Sequence, residues 1–346
     1  FRNVPTVYGR SEQPPDPLKA RIIDEEFSRA RAPKEPSGVG MMLLVPTLLE
    51  CGEAWQKERF VPPTVRGEVD WAQGYSESGA GSDLASLRTR AELVDGEWVI
   101  NGQKIWTSNA QHCRYMFALV RTEPDEPRHA GLSYLLLDLH QPGVTIRPLK
   151  MLTGQSGFNE VFFDDARTPA DWIVGGRGEG WQVSRATLKH ERGSIGGAET
   201  YDAQFSKLLD LAKARRRDGR PAIEDPVVAD RLAEISGYLA AHRYSGYRQL
   251  SMSIAGQDPG PVSYMNKLVA TDIGHRIAGL AEELIGDDAL LLPDYDGGRR
   301  VGDERWMNQF FGSLGVAIAG GTSNIQRNII AERGLGLPRD DREGPA

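Results

Sequence analysis

The stretch Gly180-Trp-Gln-Val-Ser-Arg-Ala-Thr-Leu-Lys-His-Glu-Arg-Gly-Ser-Ile195 sets a carboxylate among residues that a helix would bury. Trp181, Ser184, Leu188, Glu191 and Ile195 follow one another at spacings of 3, 4, 3 and 4. On a helix they share one face, and that face carries the apolar residues. A carboxylate there is costly unless it is paired or functional, and burial raises its pKa toward the range of a general base. The ordinary alternative is a surface Glu191–Arg192 pair. Three further stretches suit a bound ring or phosphate. Gly79-Ala-Gly81-Ser82 lets backbone N–H groups and a hydroxyl approach a ligand closely, although a plain Gly-rich turn has the same composition. Trp106-Thr107-Ser108 offers an indole to shield one face of a ring and hydroxyls for its edge, although a strand tryptophan is more often core. Gly320-Gly-Thr322-Ser323 opens a helix expected to run to Arg333, with Gly334 as its C-cap. The free N–H groups and positive dipole end of that helix suit an anion, and Thr322 is equally a simple cap.

These residues need elements of two kinds to hold them. From Pro17 to about Arg66 the pattern is helical, with Leu18, Ile22 and Phe27 among charges and Phe60-Val-Pro-Pro expected to end the run. From Trp71 to about Trp172 short alternating segments follow one another. Asp95-Gly96 between Leu93-Val94 and Trp98-Val-Ile100 predicts a type I′ hairpin, and Asn101-Gly102 predicts another turn directly after it. Further strands are expected at 115–120, 132–139, 144–148 and 160–164. From Gly178 the pattern is helical to the end, with breaks at 219–221, 256–261 and 292–298, as in a bundle. The order predicts an α+β chain: an N-terminal helical domain over 1–69, a central β-barrel or sandwich over 70–173, and a C-terminal helical bundle over 174–346.

Composition narrows the function classes. The 346 residues carry 41 Lys and Arg against 48 Asp and Glu, a net charge of -7 with the basic residues scattered, which argues against a nucleic-acid groove. Cys51 and Cys113 make no disulfide framework and no metal spacing, so a reducing, cytoplasmic setting and no metal site are expected. The longest apolar run, Met41 to Leu49, is far short of the roughly 20 residues that span a bilayer, so no membrane span is expected.

Four motifs, in order and spacing, resemble the acyl-CoA dehydrogenase family: Tyr75-Ser-Glu-Ser-Gly-Ala-Gly-Ser-Asp83, Asn101-Gly-Gln-Lys-Ile-Trp-Thr-Ser-Asn109, Phe158-Asn-Glu-Val-Phe-Phe-Asp-Asp165 and Gly320-Gly-Thr-Ser-Asn-Ile-Gln-Arg327. The likeness runs from about Arg29 to Arg339, and the N-terminal helical domain looks shortened beside the family's. The resemblance implies an FAD enzyme of α, β and α domains, assembled as a homodimer or homotetramer, that oxidises an acyl-CoA substrate to a trans-2-enoyl-CoA and passes electrons to an electron-transferring flavoprotein. It places Tyr75, Ser76, Gly81 and Ser82 at the flavin ring, with Ser82 also toward the acyl-CoA. Trp106, Thr107 and Ser108 would lie on the ring, and Thr322 and Asn324 beside the flavin. Arg192 matches a substrate-site position. Many family members keep their catalytic glutamate where this chain has Gly320. Glu191 falls on the second known location, as in isovaleryl-CoA and long-chain acyl-CoA dehydrogenases.

Two stretches depart from the family pattern. An Arg-x-x-Phe-Gly motif, expected in the second C-terminal helix with its arginine on the pyrophosphate of a neighbouring subunit's flavin, reads Arg215-Arg-Arg-Asp-Gly219 here. A Gly-rich stretch reads Glu283-Leu-Ile-Gly-Asp-Asp288, whose carboxylates should repel a pyrophosphate. With Gly320, these departures also allow a non-catalytic or flavin-sharing subunit of a heteromer. An oxidase or monooxygenase on the same fold is a further alternative.

Overall fold

The computed structural model describes residues 16–30, 38–195, 197, 199–290, 295–296, 299–300 and 304–338. The chain divides into two compact units, Ile23–Glu191 and Pro17–Ile22 with Arg192–Ala346.

The first unit is a sheet covered by helices. After α1 (Pro17–Ala30), which begins in the second unit, a wide turn at Gly40–Leu44 runs into α2 (Val45–Cys51), and α3 (Ala54–Val65) follows. α3 passes through Pro62 and Pro63 instead of ending at them. They lie in its last turn, which leaves little helix beyond them to disrupt. The strands are β1 (Trp71–Gly74), β2 (Arg90–Val94), β3 (Glu97–Ser108), β4 (Tyr115–Arg121), β5 (Leu132–Asp138), β6 (Val144–Leu149), β7 (Phe158–Pro169) and β8 (Ile173–Val174). They form one sheet ordered β6-β7-β3-β2-β4-β5-β8, with β1 parallel to β4. Asp95 and Gly96 take φ of 51° and 84°, as the type I′ hairpin between β2 and β3 requires. Asn101-Gly102 makes no turn. β3 continues through it with a bulge in its pairing to β7, and Gly102, at φ 144°, lies where a Cβ would come within 2.7 Å of the Thr89 Cα.

Two cores sandwich this sheet. Met116, Ala118 and Val120 of β4 pack with Leu135, Leu137, Val161 and Phe163 on one side. On the other, Phe117, Leu119, Tyr134 and Leu136 meet Leu44, Leu48, Phe60 and Val183 of the helices. Burial on both faces explains why β4 and β5 read as continuous apolar runs.

The chain passes from the first unit to the second within α4 (Gly180–Ile195). The second unit holds α5 (Glu199–Ala214), a short hairpin of β9 (Arg216–Arg217) and β10 (Arg220–Pro221), α6 (Pro226–Ile254), α7 (Val262–Ile285), α8 (Glu304–Ile318) and α9 (Ser323–Ile329). α7 is central, with α5, α6 and α8 packed on it. Its core gathers Leu208, Leu211, Leu232, Ile235, Ile273, Ile277 and Trp306. The break at 256–261 separates α6 from α7 as expected; the break at 292–298 lies largely outside the described residues. Among the described residues no helix is long and apolar enough to cross a membrane, and no cluster of His, Cys, Asp and Glu could hold a metal.

Candidate active site

β1 ends at Gly74, and the chain turns into the loop carrying Tyr75, Ser76, Gly81 and Ser82. The amides and carbonyls of Glu77 and Ala80 bond each other at 3.0 and 3.1 Å, closing a tight turn, and Ile105 of β3 donates its N–H to the Ser76 carbonyl at 2.9 Å. Gly81 and Ser82 are exposed, and no atom lies within 4 Å of where a Cβ would stand on Gly79 or Gly81. The outer side of the turn is open backbone.

A buried ion pair holds the inner side. Lys104 of β3 is fully buried, and its Nζ donates to Glu77 Oε1 at 2.8 Å and to the Tyr75 carbonyl at 3.1 Å. The Glu77 carboxylate also accepts the amides of Arg88 at 2.6 Å and Thr89 at 2.9 Å. Burial pushes the Lys104 ammonium down to about 8, with Glu77 opposing the fall. Burial raises the Glu77 carboxyl, but Lys104 and the donated hydrogen bonds outweigh it and leave it below the usual carboxylate range. Both residues lie inside the family-like motifs, and neither carries an expected role there. The signal was a lysine at an inward position of a strand whose neighbours Trp98 and Ile100 are also buried.

Two residues beyond Lys104, the pairing of β3 with β7 slips again, and Trp106 takes φ 60° in the left-handed region. The slip turns its indole outward. Trp106 is 58% exposed, with the Phe158 ring edge-on to it and the ring centroids 6.0 Å apart, so the core alternative for this tryptophan does not hold. Thr107 is fully buried and, among the described residues, its Oγ1 has no hydrogen-bond partner, nor does Oδ1 of Asn159, its cross-strand neighbour. Ser108 is half-buried. An outward indole, an orphaned buried hydroxyl and an open backbone turn fit the flavin that the resemblance implies.

Glu191 lies on α4, half-buried, on a buried face that takes in the expected stripe and is broader than it. Val183, Ser184 and Thr187 are buried, Trp181 and Leu188 are partly buried against the same core, and Glu191 stands one turn beyond Thr187 on the Val183–Thr187 line. The side chain of Ile195 lies outside the described residues. Beneath Glu191 is a cluster of hydroxyls: Thr187 Oγ1 and Thr47 Oγ1 lie 2.9 Å apart, and Tyr134 Oη is 3.5 Å from Thr187. The Tyr75 hydroxyl is buried among them. Burial first, then Tyr134, raise its phenol well above the ordinary range, and the nearby charge of Glu191 adds to this. Glu191 and the Tyr75 end of the loop are thus brought together. Arg192 follows on α4, with its side chain outside the described residues.

In the second unit, Thr322 caps α9, its Oγ1 accepting the Ile325 N–H at 3.3 Å. α9 ends at Ile329, and a wider turn carries the chain on to Gly334. Gly320 and Gly321 take φ of 63° and 93°, and Lys267, buried on α7, donates to the Gly321 carbonyl at 2.9 Å. Asn324 is exposed beside Arg327. Arg215 is not in a helix: it follows α5 at the base of the β9–β10 hairpin, whose tip is Asp218-Gly219 with φ of 49° and 78°. Asp218 therefore serves a type I′ turn, where Asp-Gly is favoured. Arg215 donates to Asp288 at 2.9 Å and lines a 120 Å³ cavity with Arg216, Arg217, Leu280 and Glu283. Asp288 accepts a hydrogen bond from this arginine. Thirteen residues of α7, about 20 Å along its axis, separate Leu280 from Lys267 at the Thr322 turn.

The family model for the acyl-CoA dehydrogenase middle domain matches residues 72–166, and that for the C-terminal domain matches 178–335. The chain is 44% identical over 320 residues to the acyl-CoA dehydrogenase IpdE1 of Mycobacterium tuberculosis, covering 91% of this chain and 79% of that protein. It is 39% identical over 335 residues to FadE34 of the same organism, covering 97% of this chain and 44% of that protein. Among solved structures, the ChsE4-ChsE5 complex from Mycobacterium tuberculosis aligns with a TM-score of 0.79 at 28% identity, over 94% of this chain and 83% of that chain. The Tcur3481-Tcur3483 steroid ACAD aligns at 0.78 and 25% identity, over 94% and 83%.

Proposed function

The chain belongs to the acyl-CoA dehydrogenase family of oxidoreductases, and we propose that it desaturates the α,β bond of an acyl-CoA thioester with FAD as cofactor and Glu191 as base. The observation that carries the assignment is the carboxylate one turn above buried Thr187, within electrostatic reach of the Tyr75 hydroxyl at the loop that suits a flavin. FAD, when bound, supplies the acceptor for the β-hydride. The backbone of Tyr75 and Ser76, with Gly81 and Ser82, would line the ring and the thioester, Trp106 would cover one face and exclude water, and Thr107 and Ser108 would donate to its edge. Thr322 and Asn324 would lie beside the cofactor, and Arg215 would meet the pyrophosphate of a neighbouring subunit's flavin. Glu191 would take the pro-R α-proton onto a carboxylate oxygen, and Arg192 would stand at the substrate. The two solved structures named above, ChsE4-ChsE5 and Tcur3481-Tcur3483, each pair two differently named chains, which supports a heteromer here over a homo-oligomer. The steroid label on one of them supports a bulky, ring-bearing acyl group. An electron-transferring flavoprotein would accept the electrons.

Glu191→Gln keeps shape and hydrogen bonding but takes no proton at neutral pH. It is expected to bind FAD and acyl-CoA as the parent does while flavin reduction in stopped flow falls at least about a hundredfold. Unchanged reduction would assign the base to another residue or another chain. That result would favour the second reading, a flavin-sharing subunit without its own base, for which the pairing of Arg215 with Asp288 speaks.

A further inference from the structure

We propose that the buried Lys104–Glu77 pair is a positioning device that locks the Tyr75–Ser82 turn to the Trp106 bulge and thereby sets how both are presented to the flavin. The inference rests on the flavin reading above. Four separate pieces of chain meet at the pair. Lys104 brings β3; the Tyr75 carbonyl brings the exit of β1; Glu77 brings the turn; the amides of Arg88 and Thr89 bring the entry to β2. The next residue of β3, Ile105, takes the Ser76 carbonyl, so the inner side of the turn is fully engaged while Ser78, Gly79, Gly81 and Ser82 stay exposed. The same lysine is the last residue in register with β7 before the slip that turns Trp106 outward. A core that needed only filling would do better with an apolar side chain, because taking two charges from water is repaid only by good geometry and full hydrogen bonding. Here every bond of the pair is to the turn or to its flanks, which is what a device for holding that turn requires.

Three variants of the full chain separate positioning from mere stability: Lys104→Met, Glu77→Gln, and both together. The double variant leaves no unpaired buried charge and is expected to melt close to the parent. Two readouts follow it. In the flavin-free chain, amide exchange at Arg88 and Thr89 should be at least about tenfold faster in every variant, because the carboxylate that accepts those N–H groups is gone or unanchored. On titration with FAD, the double variant should bind about tenfold more weakly and show a shifted visible band, even though its melting is preserved. Lys104→Met alone should be at least as weak. A double variant that melts with the parent, protects both amides and binds FAD with the parent's affinity and spectrum would overturn the proposal. A parent that binds no FAD would overturn the flavin reading, and this inference with it.

Discussion

Trp106 is held in a conformation that the fold alone has little reason to keep, and removing it should cost the fold only about 2 kcal/mol. Its φ of 60° puts a bulky side chain in the left-handed region, a strain of about 1–2 kcal/mol that glycine does not bear. Against that relief stand the edge contact with Phe158, about 0.5–1.5 kcal/mol, and the extra backbone freedom of glycine in the unfolded chain, about 0.5–1 kcal/mol. With the indole 58% exposed, the part of its surface that is covered adds about 2 kcal/mol to the loss, so the net cost is about 2 kcal/mol. Trp106→Gly without flavin should melt within about 3 °C of the parent. FAD should then bind about tenfold more weakly, the loss of one aromatic face worth about 1.4 kcal/mol. Differential scanning calorimetry of the flavin-free protein and fluorescence titration with FAD read the two effects separately. A melting loss several times larger would show that the indole is packed after all, and an unchanged FAD affinity would show that the outward tryptophan serves something other than the flavin.

Two further outcomes are expected. Asp288→Asn removes the carboxylate that competes for Arg215; this partly exposed pair is worth no more than about 1 kcal/mol, so melting should barely move while FAD binds several-fold more tightly, and unchanged affinity would take Arg215 away from the pyrophosphate. The stability of the parent relative to the Lys104→Met/Glu77→Gln variant should depend on pH at both ends. Glu77, whose folded pKa is depressed, gives stability that is lost as pH falls below about 4.5. Lys104, depressed to about 8 from about 10.5, carries a penalty below about 8 that is relieved as pH rises toward 10.5. Urea titrations from pH 4 to 10 read both limbs, and a flat difference would refute the pair's titration.

What was legible in the sequence was local, and what was missed was set by distant pairing. Asp95-Gly96 specifies its own turn, and the structure has it. Asn101-Gly102 carries the same kind of dipeptide, yet β7 pairs along both sides of it and converts a local turn signal into a bulge. Trp106 follows from the same cause: strict alternation would assign it a face, and the second slip against Asn159 assigns it the other. The carboxylate on α4 was legible because a charge interrupts an apolar period. The full width of that face, which takes in Val183 and Thr187, was not, since it depends on where Thr47 of α2 meets the helix. The hairpin at Arg215 shows the same limit. Asp218 read as a defect in a phosphate site when only the family pattern was considered, whereas its φ of 49° makes it the residue the turn favours.

Gly320, set against Glu191, yields to the same kind of argument. The turn before α9 is clamped from within: Gln326 donates to the carbonyls of Gly320 and Gly321 at 3.0 and 3.4 Å, and Lys267 donates to Gly321. Those bonds hold both glycines at positive φ, and a Cβ on Gly321 would come within 2.7 Å of the Gln326 amide nitrogen. A glutamate at position 320 would enter the left-handed region at a cost of about 1–2 kcal/mol, or break the clamp to avoid it. Glu191 sits within α4, a regular helix with no such strain. The base proposed at Glu191 spares position 320 that cost and leaves the turn as bare backbone. By the same reasoning, Gly320→Glu added to Glu191→Gln should restore flavin reduction only in part.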